Sequence, residues 1–144
     1  MAERGFIASN AAVTAIGNTF ALAKVILMDG AGTDDARAKK LPRDAKWEYV
    51  WLRASALAGG AAAASLRLYW DSTCDVPIFD QSLQVNLITG LTTAADGGCA
   101  FPIGVQVSAP SDATVDAEGL NIWGVLKTDA GTLTCDKLQL IWSV

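Results

Sequence analysis

The 144-residue chain contains no histidine, only three cysteines and four prolines, and just 18% charged residues. Each shortage removes a class of chemistry. Without histidine there is no Ser–His or Cys–His relay for nucleophilic catalysis and no ordinary zinc ligand set. Cys74, Cys99 and Cys135 form no CxxC spacing and, being three, cannot all pair within one chain. Isolated thiols are the expectation for each, with one disulfide plus a free thiol as the alternative. Such usage points to synthesis in a reduced, intracellular compartment. No Asn-x-Ser/Thr sequon occurs. The uncharged stretch from Gly5 to Ala23 carries Ser9, Asn10, Thr14, Gly17, Asn18 and Thr19, which make it a poor bilayer span. It also lacks the basic start and compact apolar core of a secretory signal, so no membrane partner is expected. There is no P-loop and no dinucleotide glycine fingerprint. The run Asp29-Gly30-Ala31-Gly32-Thr33-Asp34-Asp35 gathers oxygens without matching the EF-hand pattern. We therefore expect no catalytic residue, no metal and no cofactor.

Positive charge is the next scarcity. Residues 1–70 carry nine Lys/Arg against six Asp/Glu, whereas residues 71–136 carry Lys127 alone against nine acids. The cations gather at Arg37, Lys39, Lys40, Arg43 and Lys46 around Leu41-Pro42. This cluster reads either as a solvated loop or as a contact with an acidic neighbour, such as the acid-rich half of another copy. Nucleic acid is not an expected partner, because the net charge is −4 and phosphate binding demands a basic face. The hydrophobic fraction, by contrast, is 51% and mean hydropathy is +0.30. That is apolar for a solitary soluble domain, and it predicts that other subunits cover part of the surface.

What remains is a succession of short β-branched and aromatic runs broken by Gly, Asp and Pro. Strands are expected over Phe20–Met28, Lys46–Leu57, Ser65–Trp70, Leu83–Ile88, Phe101–Val107, Leu120–Lys127 and Thr132–Val144. Asp129-Ala130-Gly131 is expected to form a compact hairpin turn. Alternation places Trp47, Tyr49, Trp51 and Arg53 on one face of their strand, either as a packed aromatic stripe or as an exposed sugar-stacking platform. Residues 1–19 are expected to form an N-terminal arm or a first strand, with Phe6 and Ile7 as its anchors. Seven to eight antiparallel strands joined by short turns imply an all-β sandwich or jelly roll over residues 20–144, since only a second sheet covers so many apolar faces.

The runs Leu66-Arg67-Leu68-Tyr69-Trp70-Asp71-Ser72, Lys127-Thr128-Asp129-Ala130-Gly131-Thr132 and Leu138-Gln139-Leu140-Ile141-Trp142 resemble small β-sandwich virion proteins of tailed bacteriophages, including the cement or decoration proteins of capsid lattices. The resemblance spans residues 20–144 and implies a non-enzymatic protein on the virion surface. It further implies a homo-oligomer, with a trimer favoured, that clamps neighbouring major capsid protein subunits. In that role Phe6 and Ile7 would anchor an arm, and Arg37, Lys39, Lys40 and Arg43 would supply rim charges. The long basic loop 37–46 has no counterpart in the pattern. Two alternatives stay open: a tail, neck or fibre-base module, and a carbohydrate-binding domain stacking sugars on Trp47, Tyr49 and Trp51.

Overall fold

The computed structural model describes residues 3–9, 13–16, 20, 26–30, 38–61, 63–79, 85–88, 99–116 and 119–144, and no helix occurs among them. Eleven strands follow one another: β1 (Arg4–Ser9), β2 (Val13–Ile16), β3 (Ile26–Asp29), β4 (Lys46–Ala58), β5 (Ala64–Tyr69), β6 (Val85–Ile88), β7 (Cys99–Gln106), β8 (Val115–Asp116), β9 (Gly119–Leu120), β10 (Ile122–Thr128) and β11 (Thr132–Ser143). The count exceeds expectation through β1, β2 and the short β8–β9 pair. Hydrogen bonding runs in the order β6-β5-β10-β3-β1-β11-β4-β7, with every pairing antiparallel. β6 and β7, the two ends of that path, lie beside each other, so the sheet folds back into an all-β sandwich.

The first strand is the hinge between the layers. β1 pairs along Arg4–Ala8 with the end of β11, while Ala8 and Ser9 pair with Asp29 and Met28 of β3. Ile7 is completely buried opposite Leu140. The N-terminal segment is therefore part of the domain's own sheet, and an arm draped over a neighbour does not fit Arg4–Ser9. β2 continues on the same edge of β11, from Cys135 to Thr132.

The long pair β4–β11 forms the spine. Val50, Leu52 and Ala54 of β4 and Leu133, Cys135, Leu138, Leu140 and Trp142 of β11 point into the core. They meet Met28, Leu66, Leu68, Ile122 and Leu126 in a single cluster. Each fully buried Leu, Ile or Val contributes about 1.5–3 kcal/mol relative to exposure, so this inward stripe fixes which face of each strand is inside.

Asp129-Ala130-Gly131 corrects the hairpin expectation. β10 pairs with β5 and β3, and β11 with β1, β2 and β4, so this turn carries the chain from one layer to the other. The neighbouring β4–β5 turn makes a similar crossing. Gly59 and Gly131, with φ of 67° and 61°, let the two turns touch backbone to backbone. Asp129 Oδ1 accepts the Ala63 N–H at 3.1 Å and the Thr128 hydroxyl donates to the Ala63 carbonyl at 3.0 Å, tying the two crossings together.

Candidate functional site

The site begins with a fault in a strand. Between Trp47 and Tyr49 the pairing of β4 with β11 slips by one residue, so that Glu48 is the extra residue opposite Ile141 and Trp142. On the other edge of β4 the β7 ladder slips over the same interval, accommodated around Gly104 with φ of 70°. The bulge breaks the expected Trp47-Tyr49-Trp51 stripe. Trp47 turns inward and is fully buried, its ring edge-on to Trp70 at 5.8 Å and to Phe79 at 6.0 Å between centroids. Trp47 is thus core, and a sugar platform using it is excluded by burial. Tyr49 and Trp51 remain half-buried on the outer face, since Val50, Leu52 and Ala54 take the inner one.

Residues directly opposite each other in an antiparallel ladder share a face. The register therefore builds a platform across β1, β11, β4 and β7. One row reads Phe6, Ile141, Tyr49 and Pro102; the next reads Ala8, Gln139, Trp51 and Ala100. Strands stand about 4.8 Å apart, so the apolar row spans roughly 15 Å, and Tyr49 and Trp51 are separated by about 6.8 Å along β4. Phe6, Ile141, Tyr49, Trp51 and Gln139 are all half-buried, while Pro102 and Ala100 are exposed on the last strand of the path. Proline is tolerated there because an edge strand has one side free of the ladder.

Polar groups frame this row. At one margin stand Arg4, Ser143, Lys46 and Glu48. The Ser143 hydroxyl donates to Glu48 Oε1 at 2.7 Å, and Lys46 Nζ lies 3.6 Å from the same oxygen. The Ser143 hydrogen bond holds the Glu48 carboxyl below its usual pKa, with the Lys46 and Arg4 charges acting in the same sense against partial desolvation. At the opposite margin Lys137 faces Arg53 across the ladder.

The residues singled out as interface anchors fall in different places. Ile7 belongs to the core and cannot reach a neighbour, whereas Phe6 joins the platform's apolar row. Lys39 is exposed and lies 3.8 Å from Glu3, an ion pair worth little at such exposure. Its backbone N–H donates to the Phe6 carbonyl at 3.0 Å, which straps the basic loop along β1. The Arg43 guanidinium donates to the Pro110 carbonyl at 2.6 Å and holds the following loop in place. Lys40 is exposed, with its stem against Gly119. Arg37 lies outside the described residues. The loop thus spends Arg43 on an internal contact. Ile141, Gln139 and Pro102 were not singled out from sequence. Their placement depends on register and bulges, for which Gly104 is the sole local signal.

No group of three or more His, Cys, Asp or Glu residues able to hold a metal occurs among the described residues, and Asp34 and Asp35 lie outside them. No helix there is long and apolar enough to cross a membrane.

Comparison with known proteins adds little to this geometry. No family model and no curated protein matches the chain. Among solved structures it is similar to a non-crystalline cellulose specific carbohydrate-binding module, CBM28, at 13% identity and a TM-score of 0.32, covering 88% of this chain and 69% of that one. A likeness at that level carries no argument about what this chain binds.

Proposed function

We propose that this protein is a non-enzymatic structural subunit of a virion, of the capsid-decoration kind, that docks on neighbouring major capsid protein through the outer face of β1-β11-β4-β7. The observation that carries the reading is the half-exposed apolar row Phe6–Ile141–Tyr49–Pro102 with Trp51 beside it. Aromatic side chains in an apolar centre with a polar margin are the composition of protein interfaces. Docking on a symmetric lattice multiplies modest contacts, so one face suffices. The protein would be made in the host cytoplasm and act on the capsid surface. The test is co-sedimentation with empty heads assembled from the major capsid protein of its own virus. Native protein should pellet with the heads, while Trp51→Ala and Phe6→Ser should weaken retention about tenfold or more. Equal retention of all three proteins refutes the reading.

A second reading has an observation of its own. Gln139 stands directly beside Trp51, offering an amide donor and acceptor next to an aromatic ring, an arrangement that suits a sugar ring stacked on Trp51 with its hydroxyls bonded to the amide. Specific glycan-array binding lost in Trp51→Ala, without binding to heads, would select this reading over the first.

A further inference from the structure

We infer that the platform of one copy receives the Asp71–Pro77 tip of a second copy, so that the protein self-associates head to tail. This inference rests on the reading of the platform as a protein-docking face. The platform presents an apolar row with charged residues at both margins: exposed Arg4 and Lys46 on one side, and Arg53 and Lys137, which have contacts of their own, on the other. Glu48 is likewise engaged, by Ser143 and Lys46. The exposed cations of the first margin fit a surface that is apolar in the middle and acidic at its edge.

The tip has that composition. Val76 is 50% exposed, Pro77 is exposed beside it, and Asp71 and Asp75 flank them with no cation in the segment. It is also rigid. The Asp71 carboxylate accepts the Asp75 N–H at 3.0 Å, the Val76 N–H at 2.9 Å and the Thr73 hydroxyl at 2.6 Å. Trp70 N–H donates to the Val76 carbonyl at 2.9 Å and Ile78 N–H to the Leu68 carbonyl at 2.9 Å, anchoring the tip on β5. An exposed valine held in place before binding loses little entropy on docking.

The two surfaces cannot meet within one molecule. Trp70 at the base of the tip packs on the inward-facing ring of Trp47, so the tip rises on the core side of β4. Tyr49 and Trp51 point to the other side of the same strand. Contact between unlike patches is heterologous, and its repetition closes a ring or propagates as a filament.

Complementation between two disabled chains tests this. Light scattering after size exclusion should show native protein larger than a dimer. Trp51→Ala (platform disabled) and Val76→Asp (tip disabled) should each run as monomers, and their mixture should give a 1:1 dimer, because one intact platform and one intact tip remain. Arg4→Glu with Lys46→Glu, at exposed positions, provides a second platform variant should Trp51→Ala fold poorly. Its self-association should fall about tenfold, and the native contact should weaken as salt rises. A monomeric native protein overturns the inference, as does a mixture that stays monomeric or a Val76→Asp variant that assembles normally. A native monomer that still binds heads through Trp51 discards self-association while leaving the proposed function standing.

Discussion

Gly5→Ala probes whether β1 is truly built into the core. A Cβ at position 5 would lie 2.5 Å from Cζ2 and 2.9 Å from Cε2 of Trp142, which is 1% exposed and directly opposite in the ladder. The clash is with the flat body of a buried indole, not with the end of a flexible chain, so relief requires moving the ring or the strand. Overpacking of this kind costs about 1–3 kcal/mol. Removing glycine's freedom in the unfolded chain returns roughly 0.4–1 kcal/mol. The net expectation is a loss of about 1.5 kcal/mol. For a domain of this length that lowers Tm by about 3–6 °C. Thermal unfolding followed by near-ultraviolet circular dichroism measures it. Repeating the substitution in a Trp142→Phe background isolates the cause, because the smaller ring leaves room for the new methyl. There Gly5→Ala should cost about 1 kcal/mol less than in the native background. A Tm equal to or above native, or the same cost in both backgrounds, would show that β1 does not lie against Trp142.

Other perturbations test separate parts of the fold. Ile7→Ala should destabilise by about 2–4 kcal/mol, read from urea unfolding, and deleting residues 1–10 should leave a chain without a cooperative transition. Gly131→Ala should cost more than about 2 kcal/mol, because φ is 61° and the added carbon overlaps the Ala58 carbonyl oxygen; a neutral effect would refute the crossing geometry. Burial raises the Cys74 thiol pKa and the Asp71 and Asp75 carboxylates raise it further, so site-resolved alkylation at mildly alkaline pH should be slower than for a free thiol. Cys135, which is buried, should label only on unfolding. Desolvation works to raise the Asp71 pKa, but hydrogen bonds from Thr73, Val76 and Asp75 outweigh it and the net shift is downward. Its stabilising effect should therefore be present above the unfolded carboxylate value and disappear as pH falls through the lower folded one. The Asp75 and Val76 amide shifts should report that step, and their constancy down to strongly acid pH would count against it.

Strands with clean alternation and large side chains are legible in the sequence. β5 and β10 place Leu66 and Leu68, and Ile122 and Leu126, in the core at even spacing, so period and hydrophobicity agree. β1 and β2 were harder because Gly5, Ala8, Ser9 and Thr14 carry little patterning. Burial there comes from being flanked, by β3 and β11, which no local window contains. The Asp129–Gly131 turn shows the same limit. Turn residues announce a change of direction, but whether the next strand pairs with the last or crosses to the other layer depends on the partners waiting for it. β8 lies between the expected strands Phe101–Val107 and Leu120–Lys127, and Leu120 of β9 falls at the start of the second. Val115–Asp116 is exposed, and the small pair is held instead by Asn121, whose N–H donates to Thr114 and whose amide donates to Asp116.

The platform was half visible for a related reason. Period-two reading put Trp47, Tyr49 and Trp51 on one face, and without the bulge they would stay there. The core end of β4 would then lose its indole, or Val50 and Leu52 would turn out to water. Adding Glu48 as an extra residue changes the parity once. Trp47 can then fill the space against Trp70 and Phe79, while Tyr49 and Trp51 face outward from the same strand. β11 makes a matching adjustment at Asp136, where the ladder slips between Cys135 and Lys137. Leu133 and Cys135 on one side of the slip and Leu138, Leu140 and Trp142 on the other thereby all reach the core. Lys137, Gln139 and Ile141 are left to line the outer face. Together with a third shift at Ser55 of β4, these register changes in the two longest strands let one hydrophobic sequence supply both an interior and a half-exposed aromatic surface. Deleting Glu48 should make those demands compete, costing stability and the platform together.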